Sequence, residues 1–202
     1  MFLFKLKIIV AYILYFPLVI FFLKSKNKQL IIEDIEEWCK NLGYNNKNLI
    51  NKLIYLLYFN KTYRNLFYFR IPQIPNFLRN LICKKDPFFN LAPHRDGCFN
   101  EIEGGGLYVV QGHSIGTRIR ANKIGKGCKF RQLTVVGTKG TNKPFDTPVI
   151  GRNVDFGANV VCIGKIMIGD NAIIGAGAVV VKDVPENAIV AGNPAKIIGW
   201  NK

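Results

Sequence analysis

The chain has 202 residues, 49% of them hydrophobic, enough for one domain with a small appendage and a sizeable core. Its 28 lysines and arginines outnumber 13 acids, a net charge of +15, but no RNA- or DNA-binding motif accompanies the excess, and charge alone does not make a nucleic-acid binder. Cys39, Cys83, Cys98, Cys128 and Cys162 form no CxxC pair and have only two histidines as co-ligands, which argues against a zinc site or a disulfide framework and for a reducing compartment.

From Ile8 to Leu23 the amino-terminal stretch carries no charge and has lysines on both sides. Sixteen residues fall short of the roughly 20 that a bilayer span needs, although counting from Met1 across Lys5 and Lys7 reaches that length if the lysines snorkel. No small-residue cleavage site comes after it, which disfavours a signal peptide, and lysines on both flanks leave the orientation open. Residues 1–28 are therefore expected to form a hydrophobic, membrane-associated helix, as an anchor or in the interface, with packing inside the protein or an oligomer as the alternative. Leu30 to Arg70 reads as helical: IIEDIEEWC places acids in its first turn, and NLINKLIYLLYF is apolar at helical spacing. Pro72, Pro75, Pro87 and Pro93 break the segment after Arg70, so 29–100 is expected to be a helical region ending in a connector over 71–100.

Next comes GHSIGT, Gly112 to Thr117, which has two readings. As G-x-S-x-G it matches the nucleophile elbow of serine hydrolases, with Ser114 attacking. Alternatively His113 is the chemical residue and Ser114 only packs.

The sequence from Ile150 onward decides between them. It repeats every six residues: IGRNVD, FGANVV, CIGKIM, IGDNAI, IGAGAV, VVKDVP. Apolar leaders stand at Ile150, Phe156, Cys162, Ile168, Ile174 and Val180, and a second apolar position comes four residues after each at Val154, Val160, Ile166, Ala172, Ala178 and Val184. Neither a helix nor an ordinary strand generates a period of six; a parallel β-helix does, each unit supplying one short strand and one corner. Ile124, Phe130 and Val136 keep the step upstream, and GTKGTNKPFDTP, in the fourteen-residue step from Val136 to Ile150, reads as a loop thrown out of the coil, the step being two residues longer than two units. An elbow needs a strand-turn-helix setting and a triad histidine later in the chain. Here the setting is β-helical and no histidine comes after His113.

GGGLY, ANKIGKGCKFRQLTVVG, PVIGRNVDFGANVV and above all IGAGAVVVKDVPENAIVAGNPAKII resemble the hexapeptide-repeat acyltransferases, in their serine acetyltransferase-like branch. The resemblance covers about Gly104 to Gly199. It implies a mostly β fold, a left-handed parallel β-helix over 101–202 preceded by the α-helical, hydrophobic amino-terminal region, usually trimeric. It also implies acetyl-CoA as co-substrate in the groove between subunits, no metal, and direct acetyl transfer to a hydroxyl. Counting back from Ala121, the family's catalytic histidine falls on His113, which implies a two-residue expansion after Gly106. Imidazole titrates where a base for a hydroxyl proton is needed. For its carboxylate partner, gap-free counting lands on Cys98; of the nearby Asp96, Glu101 and Glu103, Glu103 is chosen. Backbone groups at Ala158 and Ala176 are implied for acetyl-CoA, Lys182 and Lys196 for its phosphates, and Gln132 for lining the acceptor site. Where the serine acetyltransferases carry an Arg-His pair before a proline, this chain has Asp146 and Thr147. An aspartate there repels a carboxylate, which points to a neutral acceptor such as a sugar hydroxyl of a surface polysaccharide or its precursor, at the cytoplasmic face of the cell membrane. Serine O-acetylation in cysteine biosynthesis is the alternative, and a non-catalytic β-helix scaffold the second.

Overall fold

The computed structural model describes residues 2–82, 86, 89–91, 101–109, 115–140 and 145–202. The chain divides into two compact units, Met1–Pro87 and Phe88–Lys202. The division falls upstream of residue 101 because a short strand, β1 (Phe89–Leu91), is already laid on the coil of the second unit, in register with Thr117 to Ile119.

The first unit consists of α1 (Phe2–Lys24), α2 (Lys28–Leu42), α3 (Leu49–Phe59), α4 (Lys61–Arg70) and α5 (Asn76–Ile82). The stretch read as helical over 30–70 is thus three helices, and its breaks have local causes. Gly43 ends α2 in the left-handed conformation, φ +67°, its N–H reaching back to the carbonyls of Cys39 and Lys40. The side chains of Asn48 and Asn60 accept first-turn N–H groups of α3 and α4, donors that a helix start leaves open. Inside, Arg70 holds the Asp34 carboxylate through two hydrogen bonds of 2.8 and 3.1 Å, both residues buried. The Trp38 ring meets Tyr63 edge-on at 5.4 Å. Among the described residues, no helix is both long and apolar enough to cross a membrane.

The second unit is a left-handed parallel β-helix of triangular section. Face A stacks β1, β4 (Thr117–Ile119), β7 (Val135–Gly137), β10 (Val161–Ile163) and β13 (Val179–Val180). Face B stacks β2 (Glu101–Ile102), β5 (Lys123–Ile124), β8 (Val149–Ile150) and β11 (Met167–Ile168). Face C stacks β3 (Leu107–Val109), β6 (Cys128–Phe130), β9 (Asp155–Phe156), β12 (Ile173–Ile174) and β14 (Ala188–Gly192), against which β15 (Ala195–Trp200) turns back antiparallel. The chain winds A to B to C and then A again, so each six-residue leader of the sequence sits one face on from the last. Leaders eighteen residues apart are stacked neighbours: Val136, Cys162 and Val180 on face A differ from that spacing only at an insertion. On face B, Ile102, Ile124, Ile150, Ile168 and Val184 stand in register. On face C, Val109, Phe130, Phe156, Ile174 and Val190 do, the two phenyl rings stacked 4.7 Å apart. All of these residues are buried.

The step from Val136 to Ile150 runs directly from face A to face B. It therefore contains one unit and eight additional residues, rather than two units and two residues. No strand is laid down in the described part of 138–148.

Ile168, between Ile150 and Val184 in the face-B column, is 1% exposed. Ile168→Asp places an unpaired charge there and should leave the protein insoluble or without a cooperative melting transition. A soluble, fully active Ile168→Asp protein would overturn the register.

Candidate active site

The corner where the chain passes from face C to face A gathers several of the candidate residues in one column. Backbone ladder bonds tie its levels together. Leu133 N–H donates to the Ile115 carbonyl at 2.9 Å, Asn159 N–H to the Gln132 carbonyl at 2.9 Å, and Gly177 N–H to the Ala158 carbonyl at 2.8 Å. Gln132, Ala158 and Ala176 thus occupy successive levels of one edge. The coils touch there backbone to backbone: a Cβ on Gly157 would stand 2.5 Å from the Ala176 nitrogen. Ala158 is half-buried and Ala176 exposed, so a long flexible ligand could reach their peptide groups.

The upper end of this column is strained. Leu133 adopts φ +60°, a conformation that costs a side-chain-bearing residue about 1–2 kcal/mol. Its side chain covers Gly116, where an added Cβ would lie 2.7 Å from Leu133 Cδ2. Beside it the Gln132 side-chain oxygen is buried with no hydrogen-bond partner among the described residues. Buried polar atoms are nearly always satisfied, so this one is a candidate to receive a hydrogen bond from a ligand. His113 lies outside the described residues; Ile115, two positions later, is the residue that bonds Leu133.

The other candidates stand elsewhere on the prism. Lys182 and Lys196 line one cavity of about 140 Å³ with Val180, Val190 and Pro194, where the last coil meets β15. Asp146 is half-buried on the face A to face B connection, beside a buried Thr147 whose N–H donates to the Phe145 carbonyl at 2.8 Å. Glu103 stands between β2 of face B and β3 of face C, whereas β3 of face C and β4 of face A bracket His113. The Glu103 carboxylate accepts from Arg152 at 3.0 and 3.3 Å and from the Lys126 N–H at 3.1 Å, with Lys123 at 3.6 Å. The Arg152 hydrogen bond foremost holds its pKa below the usual carboxylate range.

Two features of the coil are not foreseen in the sequence. Asn153, Asn171 and Asn187 all have φ near +57°, and their side-chain amides bond in a ladder at 3.1 Å per rung down the face B to face C corner. The recurring asparagine before an apolar residue is the available signal, since asparagine tolerates this conformation. Arg131, next to Gln132, ion-pairs with Asp155 and donates to the Phe156 carbonyl at 3.2 Å, bracing the candidate corner. Among the described residues no group of His, Cys, Asp or Glu could hold a metal. Burial pushes the Cys128 and Cys162 thiols up to about 12, which makes them packing groups rather than nucleophiles; Cys83 and Cys98 lie outside the described residues.

No protein-family model matches the chain. Curated relatives match part of the chain. Serine acetyltransferase 4 of Arabidopsis thaliana is 51% identical over 77 residues, 38% of this chain and 22% of that protein. The serine acetyltransferase of Synechococcus elongatus is 35% identical over 96 residues, 47% of this chain and 38% of that one. The galactoside O-acetyltransferase of Escherichia coli is 49% identical over 49 residues, 24% of each. The matches thus span less than two fifths of these relatives' lengths. Solved structures extend the likeness in fold to the helical unit. The serine acetyltransferase of Neisseria gonorrhoeae has a TM-score of 0.58 at 24% identity, covering 85% of this chain and 67% of that one. Soybean serine acetyltransferase complexed with serine has 0.59 at 20% identity, covering 81% and 68%. The homologues of this chain are serine acetyltransferases and other hexapeptide-repeat acetyltransferases.

The ion pairs of Glu103 yield a test of its role. Because its pKa is depressed in the folded protein, its contribution to stability is present at neutral pH and lost as pH falls through and below the carboxylate range. Glu103→Gln should melt below wild type at pH 7, and the difference should vanish in acid. Unchanged acetyl transfer in that variant would confine Glu103 to bracing Arg152; a large drop in turnover with the melting shift would instead support it as the partner of His113.

Proposed function

We propose that this protein is an acetyl-CoA-dependent O-acetyltransferase that works as a trimer, with His113 as its base. The observation that carries the reading is the face C to face A column. There the alanine edge, half-buried at 158 and exposed at 176, the buried Gln132 oxygen with no hydrogen-bond partner among the described residues and the strained Leu133 lead up to Ile115, two residues from His113. The acetyltransferase relatives support it.

In this reading the pantetheine arm lies along the alanine edge, where small side chains let it approach the backbone, and Lys182 and Lys196 meet the nucleotide phosphates as point charges. The acceptor hydroxyl donates its proton to His113 as its oxygen attacks the thioester carbonyl. The tetrahedral intermediate then expels the coenzyme's sulfur, which takes the proton back from the imidazolium. The products are the O-acetyl ester and free CoA, with no net proton change at the histidine. Gln132 orients the acceptor. Asp146, Lys182 and Lys196 stand away from the column within one chain, and a three-fold arrangement, in which edges of neighbouring prisms face each other, lets one subunit complement another's site.

Serine is the first acceptor in this reading, supported by the serine acetyltransferase relatives and by the fold of both units. The second acceptor is a sugar hydroxyl, favoured by Asp146 and Thr147 in place of an Arg-His pair and by the galactoside O-acetyltransferase relative. Mass spectrometry of products from acetyl-CoA with free serine or a sugar panel decides between them. Serine should give the higher kcat/KM; efficient transfer to sugars with none to serine reverses the order, and in that event Asp146→Arg with Thr147→His should raise serine turnover more than sugar turnover.

His113→Ala should leave a folded oligomer and lower transfer about 10²–10⁴-fold, the usual contribution of a positioned base. Ser114→Ala should stay near wild type. An active His113→Ala beside a dead Ser114→Ala would return the nucleophile-elbow reading.

A further inference from the structure

Helix α1 is apolar on both sides, and the structure accounts for only one. Ala11, Tyr15, Leu18, Val19 and Phe22 form a buried stripe where α1 packs on α2 and α3. On the opposite side Ile9, Ile13, Phe16, Ile20 and Leu23 succeed one another at spacings of three and four and are all exposed, Ile13 to 72% and Phe16 to 61%. A surface helix ordinarily turns polar residues to water; this one presents a continuous apolar strip with no polar residue in it, the kind of patch that marks an interaction site.

Charge selects the occupant. Lys24, Lys26 and Lys28 are exposed at the carboxy-terminal end of the strip, and the sequence carries Lys5 and Lys7 at the other. The unit to Pro87 as a whole holds fourteen lysines and arginines against five acids. A second copy of α1 would set lysines against lysines at both ends in either orientation, a like-charge arrangement. An anionic lipid surface offers hydrocarbon to the strip and phosphates to both lysine clusters.

The buried stripe fixes how the helix meets that surface. Tyr15 is bound from behind by Arg64, whose Nη2 donates to the tyrosine hydroxyl at 3.4 Å and whose guanidinium lies 5.9 Å from the ring. Arg64 is itself buried and donates to the carbonyls of Leu57 and Tyr58 at 2.6 and 2.8 Å. A spanning α1 would have to leave this packing or carry a buried arginine into hydrocarbon, which is costly. We infer that α1 stays packed on its unit and docks in the plane of an anionic phospholipid bilayer, its Ile9 to Leu23 strip in the acyl boundary and its terminal lysines among the headgroups.

The test is co-sedimentation of the full chain with vesicles. Protein should pellet with phosphatidylcholine–phosphatidylserine vesicles roughly tenfold or more better than with phosphatidylcholine alone, and high salt should weaken this. Alkaline carbonate should release it, as it does not release a spanning helix. Ile13→Asp/Phe16→Asp should abolish pelleting while circular dichroism and oligomer mass stay those of wild type. Wild-type protein that stays in the supernatant with anionic vesicles, or binds neutral ones equally well, overturns the inference. So does retention after carbonate, or a double variant whose only change is a smaller oligomer, which would assign the strip to a second copy. None of these readouts depends on acetyl transfer.

Discussion

Everything in the second unit depends on three columns of inward side chains being stacked without a gap. A parallel coil has no hairpin to set its register; what sets it is that each leader must lie on the leader of the coil before it. On face B that column is isoleucine at four consecutive levels and valine at the fifth. A one-residue slip would turn every leader outward. Face C accommodates two phenyl rings at adjacent levels, which stack within 10° of parallel and so fit one above the other where two tilted rings would not. The corners obey the same requirement. Coils this close bring backbone against backbone, and a Cβ at Gly125, Gly151, Gly157 or Gly169 would fall within 2.6 Å of the next coil's atoms.

That dependence explains which parts of the fold are legible in the sequence. Leaders are inward by necessity, so apolar residues six apart can be read off directly, and the face assignment of Ile150 through Val180 needs no structure. Corners are harder, because glycine serves two purposes: close approach, as at Gly157, and positive φ, as at Gly127. Asparagine shares only the second, so Asn153, Asn171 and Asn187 are silent to a search for glycine although they form a continuous ladder. The insertion after Val136 is legible in place but not in length. Counting in sixes assumes that the lost phase is a remainder, whereas the chain steps straight from face A to face B and the eight extra residues obey no period at all.

The helical unit has a different logic, and its legibility differs accordingly. Helix stretches are visible from their apolar spacing, but Leu30 to Arg70 offers no proline and one glycine to mark its ends. The second break is made by Asn60, whose side chain takes the Tyr63 N–H; a capping asparagine in a run already rich in asparagine gives weak punctuation. The buried Asp34–Arg70 pair is likewise out of reach, since its members are thirty-six residues apart and each reads as an ordinary helix-surface charge until α2 and α4 are set side by side.

The candidate site inherits its position from the columns. Inward positions are committed to packing and the flat faces to strand pairing, so chemistry is left to the corners and to whatever the coil throws out. Gln132, Leu133, Ala158 and Ala176 are corner residues, and Asp146 belongs to the insertion. A corner is rigid in a way a loop is not, because the backbone of each level is bonded to the next; the Leu133-to-Ile115 bond holds a strained leucine where an isolated turn would relax. Nothing in the period constrains what the insertion carries. The columns preserve the edge in any sequence that keeps the repeat, while the repeat places no demand on positions 146 and 147. That is the physical reason the likeness to the acetyltransferases is readable from the repeats, whereas the insertion has to be read residue by residue.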